Sequence, residues 1–153
     1  MPIYQDTKHV PYTARQMFDL VADIEKYPEF LPWVDAMRVR NSDLTNGTGT
    51  SAADMIVGFK VFKERFGSRV EQDRTALTIV SHYLDGPFKH LENSWVFEPL
   101  PDGGCNVHVK TEYEFKNRLL QMAATQFVDY AFLQLSDAFV ERANKIYGAE
   151  HKA

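Results

Sequence analysis

The sequence predicts an α+β protein: a curved antiparallel sheet of about seven strands around one long C-terminal helix, forming a single domain over residues 1–153. Three observations predict it. From Val34 to Phe115 apolar and polar residues alternate in short stretches, interrupted by turn signals at Asn46-Gly47, Asp73-Arg74, Asp85-Gly86 and Pro99 to Gly104. From Arg118 to Tyr147 there is neither proline nor glycine, and apolar residues recur at helical spacing. A strand and a short amphipathic helix come before both.

In chain order, Ile3 to Val10 form a first strand. Thr13-Ala14-Arg15-Gln16 is a capping box, with Tyr12 and Met17 at the flanking hydrophobic-staple positions. Ala14, Met17, Phe18 and Val21 then mark a helix of about two turns. Residues 23–34 read DIEKYPEFLPWV; two prolines forbid a regular helix or central strand there, and Pro28 disfavours a helical Tyr27, so an irregular apolar loop is expected. Val34–Leu44 and Thr50–Phe59 form a hairpin about Asn46-Gly47. Lys63–Glu71 and Thr75–Tyr83 flank Gln72-Asp73-Arg74, and Leu91–Glu98 follows the Asp85-Gly86-Pro87 break. Cys105–Phe115 alternates cleanly, with Cys105, Val107, Val109, Thr111, Tyr113 and Phe115 on the buried face. In the final helix, Leu120, Ala124, Phe127, Val128, Ala131, Leu135, Ala138 and Phe139 form a broad apolar face, while Met122, Tyr130 and Leu133 project elsewhere. A helix as long as the sheet is wide leaves a space between them that becomes core or cavity.

Hydrophobic residues make up 44% of the chain and charged residues 25%, the proportions of a globular domain; aromatics reach 13% and supply a surplus for an apolar interior. The net charge of −4 argues against a DNA-binding face, because phosphate neutralisation dominates that affinity. Cys105 is the sole cysteine, so no internal disulfide forms, which fits a reducing compartment. The N-terminus has no signal-peptide pattern and no Arg-rich presequence, and no run of residues matches a membrane span.

No catalytic constellation declares itself. His9, His82, His90, His108 and His151 are scattered, with no metal-ligand spacing, so no metal is expected. No nucleophile elbow, phosphate loop or dinucleotide fingerprint occurs, and Cys105 reads as a small core filler. Ser68, Ser81, Asn93, Thr111 and Tyr113 are the polar residues expected to face inward, which by itself names no reaction. Residues 60–69, KVFKERFGSR, place Lys60, Lys63, Arg65 and Arg69 among Phe59, Phe62 and Phe66. That basic stretch reads as a solvated strand edge or as a contact for lipid headgroups or RNA phosphate.

Three stretches carry a family resemblance. Val21, Asp23, Tyr27, Pro28, Phe30, Leu31, Pro32 and Trp33 resemble the V-x-D-x-x-x-Y-P-x-F-L-P-W signature of the coenzyme Q-binding START-domain proteins. Val57 to Lys60 with Glu64, Phe66 and Ser68 to Val70 resemble that family's middle strands. Asp85-Gly86-Pro87-Phe88, Leu91, Trp95 and Phe97 resemble its D-G-P-F-x-x-L-x-x-x-W-x-F segment. The bacterial ribosome-association toxins share much of this signature, and the polyketide cyclases and aromatases share the fold. Two departures stand out: Val34 where many relatives carry cysteine, and Val61-Phe62 where many carry glycine.

The resemblance implies the helix-grip (START/Bet v 1-like) fold with an apolar pocket between sheet and helix. It implies a hydrophobic ligand, ubiquinone or a similar isoprenoid lipid, held by a carrier or chaperone that supports respiratory electron transport and requires no cofactor. The alternatives are a ribosome-association toxin-like regulator of subunit joining and a cyclase/aromatase-like enzyme. The expected location is the bacterial cytoplasm, with peripheral contact at the inner face of the membrane. Expected ligand contacts are Tyr27, Pro28, Phe30, Leu31 and Trp33 from the apolar loop; Phe59, Phe66, Trp95, Phe97, Tyr113 and Phe115 from the strands; and Phe127, Ala131 and Leu135 from the helix. The loop is then a stiff lid over the pocket mouth, with prolines limiting the entropy lost on closure. In that reading Trp95 is core or pocket floor, and Trp33 is a peripheral lid residue whose truncation costs about 1 kcal/mol.

Overall fold

The computed structural model describes residues 3–59, 62–86 and 88–152. Strand β1 (Ile3–Val10) leads to helix α1 (Ala14–Ala22), then to a short 3-10 helix (Ile24–Glu29). Six strands follow: β2 (Val34–Thr45), β3 (Thr48–Phe59), β4 (Phe62–Asp73), β5 (Thr78–Asp85), β6 (Phe88–Pro99) and β7 (Cys105–Phe115). Helix α2 (Arg118–Lys152) closes the chain; its 35 residues span about 52 Å.

The strands form one antiparallel sheet in the order β1-β7-β6-β5-β4-β3-β2, as the alternation predicts. Irregularities at Val34/Ala36, Val39/Asn41, Gly67/Ser68 and Phe88/His90 add local bend and twist, which curves the sheet. The β2–β3 turn is tight because Asn46 and Gly47 both take positive φ, 54° and 81°, the geometry that Asn-Gly supplies at least strain. The β4–β5 turn lies later than the sequence suggests: Thr75 to Leu77 are turn, not strand. The Asp73 carboxylate accepts the backbone N–H groups of Thr75 and Ala76, each at 3.0 Å, which bends the chain before pairing begins at Asp73 and Thr78.

Helix α1 is capped as expected: Thr13 Oγ1 accepts from Gln16 N at 3.0 Å, and Gln16 Oε1 accepts from Thr13 N at 2.9 Å. Residues 24–29 correct the expectation of an irregular loop, since Tyr27 and Pro28 are inside the 3-10 helix. Its bonds skip the proline: Lys26 N donates to Asp23 O, and Phe30 N and Leu31 N both donate to Tyr27 O. Short turns joined in this way need no N–H at Pro28, whereas a continuous α-helix would. The Tyr27 hydroxyl ties the segment to α1 by donating to Val21 O.

The interior is one contiguous core with two regimes. At the α1 end the packing is tight: Met17, Phe18, Val21, Phe97, Cys105 and Ala143 are at most 1% exposed, and Phe18 meets Phe97 edge-on at 5.9 Å. Toward the other end the facing residues are small. Ala53, Ser68, Val70 and Ser81 on the sheet lie across from Ala131 and Val128 on α2, and their side chains fall short of one another. The space that remains is the cavity.

Candidate functional site

The cavity has a volume of about 170 Å³ and lies between the concave face of the sheet and the first half of α2. Its wall is almost wholly apolar. Of the expected ligand contacts, Tyr27, Leu31, Trp33, Phe66, Trp95, Tyr113, Phe127, Ala131 and Leu135 line it. Five others do not. Pro28 is exposed. Phe30 turns its ring onto Phe139, with centroids at 5.0 Å, and beneath the Arg142 guanidinium at 5.1 Å. Phe59 stacks on Tyr130 at 4.9 Å and acts as an outer cover. Phe97 is spent on the core against Phe18. Phe115 stacks on Phe88 at 4.6 Å and faces an adjoining groove. Tyr130, placed off the apolar face by helical spacing, is used after all: it also meets Trp33 edge-on at 5.6 Å.

Met37, Met55, Phe88, Leu91, Phe132 and Phe139 also line the cavity and were not singled out as contacts. Strand parity carries the signal for Leu91, two residues from Asn93 and four from Trp95. Phe132 lies one turn before Leu135 on α2.

The segment from Ile24 to Trp33 forms one wall and is latched shut. Tyr27 and Phe30 both pack edge-on against Phe139, and Arg142 Nη2 donates to Glu29 Oε1 at 2.8 Å. That bond holds the Glu29 carboxyl below its ordinary pKa. Burial pushes the Tyr27 phenol far up, and the nearby Asp23 charge adds to the shift, so this phenol stays neutral. Trp33 is only 5% exposed, which corrects its reading as a peripheral lid residue: the indole fills the space between Tyr130 and the cavity.

Four polar side chains interrupt the apolar wall, all from the sheet: Ser68, Ser81, Asn93 and Thr111. Asn93 Oδ1 accepts from Trp95 Nε1 at 2.6 Å, and Asn93 Nδ2 donates to Thr111 Oγ1 at 2.9 Å. No carboxylate, histidine, lysine, arginine or cysteine of the described residues lines the cavity, and among them no cluster of potential metal ligands forms.

In the basic stretch the two arginines are ion-paired. Lys60 lies outside the described residues. Lys63 is exposed. Arg65 bridges Asp54 at 2.8 Å and Asp85 at 3.0 Å, and Arg69 reaches Glu71 at 3.3 Å. Strand alternation sends these cations to the convex side and Phe66 into the cavity, and the sheet register sets acidic residues of β3 and β5 beside Arg65. Both carboxylates draw the Arg65 pKa upward, Asp85 most, and in return Asp85 is held low. Among the described residues no helix is long and apolar enough to cross a membrane.

The family described as "Polyketide cyclase / dehydrase and lipid transport" matches residues 10–140. The ribosome association toxin RatA of Escherichia coli is 34% identical over 149 residues, covering 97% of this chain and 91% of that protein. The mitochondrial coenzyme Q-binding protein COQ10 homolog B of Xenopus laevis is 31% identical, covering 96% of this chain and 60% of that one. The solution structure of the 18 kDa protein CC1736 from Caulobacter crescentus is 38% identical with a TM-score of 0.78, covering 97% of this chain and 99% of that one. Its shape and those of START and aromatase/cyclase structures bear out the helix-grip architecture.

Proposed function

Because the chain belongs to the polyketide cyclase/dehydrase and lipid transport family, we propose that it binds an isoprenoid quinone of the ubiquinone type in the cavity, as a carrier or chaperone serving respiratory electron transport. The observation that carries this reading is the cavity of about 170 Å³ walled by aliphatic and aromatic side chains. A dry cavity of roughly 150 Å³ suffices to bind benzene, so this one takes a ring-sized guest. Typical sites for larger ligands run to about 300–1,000 Å³. A long isoprenoid tail therefore extends outside. The groove of about 230 Å³ that shares Tyr113 and Val128 with the cavity is its route, between β7 and the start of α2. The similarity to a protein named for coenzyme Q binding supports the ligand class. The apolar lining favours binding over acid–base chemistry: its titratable groups are Tyr27 and Tyr113, and burial raises the pKa of both phenols.

Mass spectrometry of the lipid fraction extracted from the purified protein tests this. A stoichiometric isoprenoid quinone is expected. Repeated extraction without bound lipid, together with no affinity for added quinone, overturns the reading. A second reading rests on the 34% identity to a ribosome association toxin across nearly the full length of both proteins. In that reading the protein acts on ribosomal subunits, and sucrose-gradient profiles of subunit joining with and without added protein decide between the two.

A further inference from the structure

The cavity's four polar side chains are not scattered. Ser81 pairs directly with Asn93 across β5 and β6, and Asn93 with Thr111 across β6 and β7, so these three lie in one row across the concave face. Ser68 extends the row diagonally: its neighbour Val70 is the residue opposite Ser81. Adjacent strands are about 4.8 Å apart, so the row offers polar groups at that interval. Above and below it the floor is apolar, with Leu91 and Tyr113 on one side and Ile79 and Trp95 on the other.

The row has a fixed polarity. An indole N–H can only donate, so the Asn93 atom facing Trp95 Nε1 is the carbonyl oxygen, and the amide nitrogen is turned to Thr111. Thr111 Oγ1 accepts from that nitrogen and keeps its own proton to give. Asn93 retains a second amide hydrogen. Ser68 and Ser81 make no side-chain hydrogen bond within the protein among the described residues. Unbonded polar groups in an apolar enclosure carry a penalty until a partner arrives. Trp95 is therefore a positioning residue: it fixes the Asn93 amide with its hydrogens on the Thr111 side, and each hydroxyl of the row keeps a proton to give as well as lone pairs to accept with.

We propose that the Ser68–Ser81–Asn93–Thr111 row is the head-group site of the cavity, selecting ligands whose buried end carries acceptor oxygens, carbonyl or ether, and seating that end first. This rests on the carrier reading and goes beyond it by assigning the orientation and the chemical feature recognised. The oxygen-bearing ring lies on the sheet floor, and the tail leaves past Tyr113.

The test compares two probes with the same tail: a decyl-substituted dimethoxybenzoquinone and decylbenzene. Binding of the quinone is read by quenching of intrinsic fluorescence, since Trp33 and Trp95 both line the cavity, and binding of decylbenzene by its displacement of the quinone and the fluorescence regained. The wild-type protein is expected to prefer the quinone by about two- to tenfold for each hydrogen bond formed. In the Ser68→Ala/Ser81→Ala double variant the ratio of the two affinities falls toward one. Neither serine supports an internal hydrogen bond, so the thermal midpoint stays near that of the wild type. Ser94→Ala, on the outer face of β6, keeps the full preference. Equal wild-type affinity for both probes, or an undiminished preference in the double variant, overturns the head-group assignment and leaves the carrier reading standing. Failure of the quinone to bind the wild-type protein overturns both.

Discussion

Trp33→Ala separates a buried wall from a mobile lid. The indole is 5% exposed, as buried as Trp95 at 4%, and meets Tyr130 edge-on at 5.6 Å. Truncating a buried aromatic to alanine costs about 3–5 kcal/mol through lost burial and the void left behind. The edge-on pairing with Tyr130 is worth about 0.5–1.5 kcal/mol beyond area and falls within that total. The backbone bond from Gly58 N to Trp33 O, 2.9 Å, survives the substitution, so the loss isolates the side chain. For a protein of this size the destabilisation corresponds to a fall in melting temperature of about 6–20 °C. The assay is a guanidinium unfolding curve beside a thermal scan, with Trp95→Ala as reference. A loss of about 1 kcal/mol or less would show that the indole spends its time in solvent. The segment would then be an open lid, and the latch by Arg142 and Phe139 would not hold in solution.

Three further outcomes follow from particular contacts. Thr13→Ala removes the half of the capping box in which Thr13 Oγ1 accepts from Gln16 N, leaves the bond from Thr13 N to Gln16 Oε1, and should lower stability by about 1 kcal/mol, measured by denaturant midpoint, while Thr13→Ser should keep most of it. Burial pushes the Cys105 thiol up to about 11 from its ordinary 9.0, so the native protein should resist a thiol reagent at pH 8 and react once unfolded. The sign at high pH follows: the unfolded thiol ionises first, so this group lowers stability as pH rises from about 9 toward 11, seen in midpoints taken across that range. Ala131→Leu projects three extra carbons into the cavity; stability should stay within about 2 kcal/mol of wild type, because burial and crowding oppose one another, while quinone affinity falls at least tenfold.

Local chemistry made much of this fold legible. The Thr13–Gln16 box, the Asn46-Gly47 turn and the alternation of β7 are each decided within a few residues, and each appears where the sequence puts it. The misses required knowledge of what lies across the sheet or on another element. Trp95 and Phe97 share a face of β6, yet only Trp95 reaches the cavity, because α1 brings Phe18 onto Phe97. Arg65 reads from sequence as part of a basic stretch, and only the register sets Asp54 and Asp85 beside it. The 3-10 helix at Tyr27 and Pro28 was hidden because the proline rule excludes an α-helical ladder but not two short turns. The polar row was half visible: parity turns Ser68, Ser81, Asn93 and Thr111 inward, but only the pairing of β5, β6 and β7 aligns three of them.

The central claim is that the space between sheet and α2 is a binding site rather than a packing defect. Native mass spectrometry of the protein purified without detergent, followed by organic extraction and identification of the released species, tests it most directly. The account predicts one apolar guest per chain, an oxygen-headed isoprenoid, lost in parallel from Ala131→Leu. A wild-type protein that flies at its bare mass and takes up no added quinone contradicts it.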